Sequence, residues 1–219
     1  MKKVAVFLFA VALCLPISAK ALDLELAPEA KSAILMDVNG EKIMYEKDAH
    51  KKLAPASMTK IMSMLLILEE LDKGTLKWDQ QITVSKHAAS MGGSQIFLEE
   101  GEKMAVKDLF KGLAVGSAND AVVALGEAIA GTEDAFVTRM NQRAKQLGLK
   151  DTNFKNTTGF DEANHYSSAY DMAMMAKEVL KHEEVLEYTS IYEDYLRPDT
   201  EKKFWLVNTN KVVCEESIK

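Results

Sequence analysis

Between residues 57 and 72, apolar side chains recur at Ile61, Met64, Leu65, Leu68 and Leu71. That spacing places them on one face of a helix. Pro55 stands just ahead of the run, where a helix start tolerates it, and Gly74 lies just past its end. The same period returns at Val106, Leu109, Phe110 and Leu113. A further helix is predicted from about Asp120 to Ala130, closing at Gly131, and another begins at a Thr132 cap and stops at Gly148. Ser168 with Asp171 three residues on is a capping-box pattern before "MAMMAKEVL". Alternation replaces the helical period in "SAILMDVNGEKIMYE", which reads as two strands around Asn39-Gly40, a strong hairpin signal. "QQITV" is a short strand and "SKHAASM" a short helix ending at Gly92-Gly93. "GSAND" and "DTNFKNTTGF" are loops, and the stretch 204–213 holds one strand. The pattern therefore predicts an α+β chain in which a hairpin comes first and a large helical region follows. A two-stranded hairpin is not stable alone, so it needs further strands or helical cover.

The first 21 residues break from this pattern. Lys2 and Lys3 precede an unbroken apolar run from Val4 to Leu15, and Ala19 and Ala21 supply small residues behind it. That is the layout of a secretory signal with cleavage after Ala21. A run of about 12 apolar residues is too short to span a bilayer. Cys14 does not make it a lipoprotein signal, because Leu13 before it is too large. The expected organisation is a signal peptide at 1–21 and one catalytic domain at 22–219, placing the protein outside the cytoplasm. The net charge is −6, and the segment 1–21 holds three lysines and no acidic residue, so its removal makes the chain more acidic still. Such a chain is poorly suited to bind nucleic acid or an anionic membrane by charge. Cys214 is the one cysteine left after cleavage, so no internal disulfide forms. The four histidines show no metal-ligand spacing, and no metal is expected. The twelve methionines sit mostly in the helices, where they fill gaps in a core.

Two short segments carry candidate chemistry. In "PASMTK", Ser57 and Lys60 lie one helical turn apart on one face. A serine hydroxyl needs an adjacent base to become a nucleophile. Lysine serves only as a neutral amine, so burial or a nearby positive charge must lower its pKa from about 10.4. On this spacing alone Ser57 reads as a plain N-cap. About sixty residues later "GSAND" places Ser117 and Asn119 between two helices. Taken alone, it reads as the start of the helix at Asp120. In a shared cleft, Ser117 has the chemistry to pass a proton towards Lys60 or a leaving group. Asn119 has the chemistry to steady Lys60 and to hydrogen-bond a substrate amide.

Taken together, "PASMTK" and "SAN" match the first two motifs of the penicillin-recognising serine enzymes. "GGSQIFLEEGE", "GLAVGSANDA", "GTEDAFVTRMN", "LGLKDTNFKNTTGFD" and "HYSSAYDMA" resemble stretches of the low-molecular-mass D-alanyl-D-alanine carboxypeptidases, over residues from about 24 to about 211. The resemblance implies a β-lactamase/transpeptidase-like α+β fold. It also implies an exported hydrolase that removes the terminal D-Ala from peptidoglycan pentapeptide stems through an acyl-enzyme, without metal or organic cofactor. By the same resemblance Ser57 attacks, Lys60 takes its proton, Ser117 relays a proton to the departing amine and Asn119 binds substrate. β-Lactam antibiotics are the expected inhibitors.

The family's third motif, Lys-Thr-Gly, is not in this sequence. "KGT" at 73–75 has the wrong order and "TTG" at 157–159 lacks the lysine. The resemblance implies that the strand bearing it helps bind the substrate carboxylate and completes the oxyanion hole. The expectation is thus a family member incomplete on its C-terminal side. Its antiparallel sheet lacks the late strands, the C-terminal domain and amphipathic membrane anchor are absent, and turnover is impaired. Ile34 and Met36, or their strand neighbours, are expected to lie uncovered as an aggregation risk. Three alternatives stay open. One is a class A-like β-lactamase, although those enzymes usually carry Ser-Asp-Asn as second motif. The others are a non-catalytic binder of peptidoglycan stems or of a partner protein, and an inactive fragment.

Overall fold

A computed structural model of the chain describes residues 26–39 and 42–216. The signal-peptide segment 1–21 and Gly40 of the hairpin turn lie outside the described residues, as does the side chain of Cys214. Three two-stranded antiparallel sheets accompany the helices. They pair β1 (Ala33–Met36) with β2 (Ile43–Lys47), β3 (Gln81–Thr83) with β4 (Lys103–Ala105), and β5 (Glu193–Leu196) with β6 (Phe204–Val207). The helices are α1 (Lys60–Asp72), α2 (Lys86–Ala89), α3 (Val106–Gly116), α4 (Asn119–Ala130), α5 (Glu133–Gln146), α6 (Ala169–Val179), α7 (Glu184–Thr189) and α8 (Lys211–Glu216). The α+β class read from the sequence is the one observed. No helix among the described residues is long and apolar enough to cross a membrane.

The core is built around α1 and α4. In α1 the buried residues are Met62, Ser63 and Leu65 through Leu68, together with Lys60, whereas Ile61, Met64 and Leu71 are only partly buried. The single stripe read from the sequence is thus corrected. The middle of α1 is enclosed on several sides, by α6, α4, α3 and α5, as expected of a helix that is apolar most of the way round. In α4 the run Ala121–Leu125 is fully buried. Gly126 lets α5 approach closely, since a Cβ there would meet Phe136 at 3.1 Å. The predicted caps form: Thr132 Oγ1 accepts from Ala135 N–H and Ser168 Oγ from Asp171 N–H. The capping box at Ser168 is not reciprocal. The Asp171 carboxylate turns instead to Asp151 N–H (2.8 Å) and the Thr152 hydroxyl (2.7 Å).

Two elements differ from the sequence reading. The strand read within 204–213 is present as β6, but it pairs with β5, which the sequence reading missed, from Glu193↔Val207 to Leu196↔Phe204. In the first hairpin Asp37 N–H donates to Lys42 C=O and the register shifts between Leu35 and Met36, so the loop is longer than two residues. Helical cover comes from α6, which packs on β1. Ile34 and Met36 are half-buried, and the exposed residues are their strand neighbours Leu35, Ile43 and Met44.

Candidate active site

The segment holding Ser57 is a turn of 3₁₀ helix, Ala56–Thr59, joined directly to α1. The tighter winding places Ser57 one turn before Lys60 without making it a cap. No side-chain cap bond is found at the start of either helix. Lys60 Nζ lies 3.1 Å from Ser57 Oγ and donates to the carbonyl of Thr158 at 3.0 Å. Lys60 is 3% exposed, and burial lowers its pKa from 10.5 to about 8. Among the described residues no salt bridge reaches Lys60, and desolvation is the cause of the shift. The pairing read from "PASMTK" is therefore present in space.

The loop 156–160, left featureless by the sequence reading, completes this contact. Its Asn156 Oδ1 accepts from Gly159 N–H at 2.7 Å, and Asn156 Nδ2 donates to Phe160 C=O at 3.0 Å. Thr157 is fixed from two sides. Ser63 Oγ donates to its carbonyl at 3.3 Å. Glu133 Oε1 accepts from its N–H at 3.0 Å and from its hydroxyl at 2.7 Å. Burial opposes the charge on Glu133, but the Thr157 N–H, His87 and the Thr157 hydroxyl outweigh it and hold the carboxyl below its usual range. Gly159 has φ +88° and lies so close to the turn that a Cβ would come within 1.8 Å of the Ala56 carbonyl oxygen. Only glycine fits there. The sequence signal for this loop was "NTTGF", an Asn three residues before a Gly, which is turn chemistry.

Ser117 is the residue after α3 and has left-handed backbone angles, φ 56° and ψ 35°. It is half-buried, and its hydroxyl has no hydrogen bond among the described residues. It does not start the next helix, whose flanking residue is Ala118. Asn119 opens α4. Its N–H donates to Ser94 C=O and its Nδ2 to Gly92 C=O, both at 2.7 Å. Its Oδ1 is buried and has no partner among the described residues. The adjacent Asp120 carboxylate is buried and accepts from Ile96 N–H, Leu98 N–H and Ala121 N–H, which lashes the 94–98 strap to the start of α4.

No hydrogen bond joins Ser57 or Lys60 to Ser117 or Asn119 among the described residues. Lys60 is steadied by Thr158 rather than by Asn119. The two segments meet through intermediaries. Gly159 abuts Ala56 and Ser57, and Phe160, next in sequence, lies over Gly93. A Cβ on Gly93 would come within 2.9 Å of Asn119 Nδ2 and 3.6 Å of the Phe160 ring. An apolar groove of about 420 Å³ opens nearby between β1, Pro55, Met58 and α6, but neither Ser57 nor Lys60 lines it.

A buried, desolvated lysine touches a serine hydroxyl at a helix start with Ser-x-x-Lys spacing, and a Ser-x-Asn corner is reached from it through Gly159, Phe160 and Gly93. The profile of the D-alanyl-D-alanine carboxypeptidase family matches residues 19–219, and the chain belongs to that family. D-alanyl-D-alanine carboxypeptidase DacF of Bacillus subtilis is 60% identical over 189 residues, which cover 86% of this chain and 49% of that protein. Among solved structures, penicillin binding protein 6B from Escherichia coli matches with a TM-score of 0.80 and 32% identity, over 91% of this chain and 62% of that one. Penicillin-Binding Protein D2 from Listeria monocytogenes, solved in an ampicillin-bound form, matches with a TM-score of 0.72 and 28% identity over 84% and 74% of the two chains. The fold is thus the penicillin-binding, transpeptidase-like one expected from the sequence. The chain spans about half the length of the curated relatives it matches.

Proposed function

We propose that this chain is an exported serine D-Ala-D-Ala carboxypeptidase whose acylating residue is Ser57. The observation that carries the reading is the 3.1 Å contact between Ser57 Oγ and a buried Lys60 amine whose pKa is lowered to about 8. Near neutral pH a useful fraction of that amine is uncharged. It takes the Ser57 proton as Oγ attacks the carbonyl carbon of the penultimate D-Ala. Ser117 passes a proton to the departing amine, the C–N bond breaks and D-Ala leaves. Water then cleaves the ester and restores Ser57. Asn119 Oδ1, buried and without a partner, accepts from a substrate amide N–H. Peptidoglycan stem peptides are the substrates, and β-lactams acylate the same serine and block it. The mature domain begins after residue 21.

A fluorescent penicillin tests the reading. It labels the wild type and leaves Ser57→Ala unlabelled, while D-alanine release from a diacyl-D-Ala-D-Ala peptide reports turnover. Equal labelling of Ser57→Ala removes Ser57 from the mechanism, and rapid nitrocefin hydrolysis favours a β-lactamase instead.

A further inference from the structure

A histidine outside both motifs fastens the two sides of the Ser57–Lys60 contact. The chain from 154 to 165 is an excursion whose ends are tied by a pair of backbone hydrogen bonds between Asn153 and Tyr166 (2.9 and 3.0 Å). His165 closes it and turns its ring inward, edge-on to Phe154 with centroids 6.0 Å apart. Its Nδ1 lies 3.0 Å from the Lys155 N–H. A peptide N–H only donates, so Nδ1 is the acceptor and the ring proton resides on Nε2. Nε2 is 2.8 Å from Thr59 Oγ1 and therefore donates to that hydroxyl. Thr59 is fully buried and lies between Ser57 and Lys60 in the turn. The same excursion carries Thr158, whose carbonyl holds Lys60, and Gly159, which supports Ala56 and Ser57. One ring thus grips the turn through Thr59 and the loop through Lys155.

We propose that His165, as the neutral Nε2–H tautomer, is a positioning residue that sets the Ser57–Lys60 geometry by clamping the 154–165 excursion onto Thr59. This rests on the acylation reading above. The clamp works in one protonation state, because an imidazolium cannot accept from the Lys155 N–H. Burial pushes the His165 pKa down, and the Glu162 and Asp161 carboxylates of its own loop oppose that. Thr59 and Phe154, which pack on the ring from the turn and the loop, bring no charge. Lys60 is the ionisable neighbour on the turn, and Lys155 bonds the ring by its backbone.

The signs can be worked through. Acylation needs neutral Lys60, so below about pH 8 the rate falls roughly tenfold per pH unit. Below the His165 pKa, which lies under 6.5, a second proton disables the clamp and the fall steepens to about a hundredfold per unit.

Acylation by fluorescent penicillin is measured from about pH 4.5 to 8.5 on wild type, His165→Gln and His165→Asn. Gln keeps an N–H for Thr59 and does not titrate. It should lower the rate at pH 8 by about fivefold, for the lost Lys155 bond, and show no steepening. Asn keeps an acceptor for Lys155, gives up the Thr59 bond and also shows no steepening. Hydrogen exchange at the Thr157 and Gly159 amides, bonded to Glu133 and Asn156, reads the clamp without any activity. Their protection should drop as His165 titrates in wild type, and should not respond to pH in His165→Gln. An acid limb of constant slope in wild type, or the same break in His165→Gln, overturns the proposal. So does protection lost without a break in the acylation profile, which makes His165 merely structural. Wild type that is not labelled at all refutes the acylation reading. Exchange then decides the clamp alone, and unchanged protection overturns it.

Discussion

Around Ser57 and Lys60 the chain supplies its own partners: the amine has Ser57 Oγ and Thr158 C=O, Thr59 has His165, and Ser63 has Thr157 C=O. At the Ser117–Asn119 corner the backbone is equally fixed, by Ser94, Gly92 and the Asp120 carboxylate, yet the Asn119 Oδ1 is buried without a partner and the Ser117 hydroxyl makes no hydrogen bond among the described residues. A buried carbonyl-type oxygen left unsatisfied costs about 1–3 kcal/mol. Such an atom is uncommon in a folded chain, where buried polar groups are nearly all hydrogen-bonded. The comparison separates two arrangements. One segment satisfies its own polar groups, and the other leaves one acceptor, Asn119 Oδ1, without a partner among the described residues.

The largest effect should come from breaking the finished segment at its amine. Lys60→Met keeps the volume and removes the base, and should lower penicillin acylation by about 10²–10⁴. The same change should stabilise the fold. An amine whose pKa drops from 10.5 to about 8 on folding costs stability at neutral pH, on the order of 3 kcal/mol. The unfolded chain binds the extra proton between those two values, so wild-type stability rises as pH climbs from about 8 to 10.5. In Lys60→Met that rise should vanish and Tm at pH 7 should go up. A Tm that falls instead would mean that the amine is held by more than Ser57 and Thr158.

Next in size is the approach of the loop to the turn. Gly159→Ala puts a methyl into the Ala56 carbonyl at a positive φ, so the loop must retreat. Strain of this kind costs about 1–3 kcal/mol, and a shift of about 1 Å at a reacting group costs about 10²-fold in rate. Acylation should fall by about that factor while Lys60 and Ser57 are both still present. Unchanged labelling would show that the Thr158 carbonyl is dispensable.

How much of this was legible in the sequence follows from the kind of signal each part leaves. Helices α3, α4, α5 and α6 announced themselves through apolar period and through caps such as Thr132 and Ser168. Ser57, Lys60, Ser117 and Asn119 stood out as candidates because the two short motifs that carry them match a family pattern together, whereas each motif alone reads as a helix start. The 3₁₀ winding of Ala56–Thr59 was not legible, because a cap residue and a reacting residue look alike at a helix start. Neither was β5, whose "EDYL" alternates too briefly to register and depends on β6 for its pairing. Above all, the carbonyl of Thr158 lies 98 positions from Lys60. Every residue carries a carbonyl, so no letter marks the one that matters. Glycine at 159 and histidine at 165 were the visible traces, and their meaning needed the fold.

The smallest expected effect sharpens the contrast from the other side. Asn119→Ala removes the unsatisfied oxygen and also the Nδ2 bond to Gly92. The gain and the loss are each about 1 kcal/mol in size, so the change in stability should be within about 1 kcal/mol of zero. If the oxygen awaits a ligand amide, the variant loses one hydrogen bond to the acylating molecule, and acylation should drop by about tenfold. That outcome pairs a near-silent Tm with a clear kinetic loss, whereas in Lys60→Met the kinetic loss comes with a raised Tm. A large fall in Tm with unaltered acylation would instead make Asn119 a structural tie for the Gly92–Ser94 strap. The comparison of a finished segment with an open one would then fail at its open end.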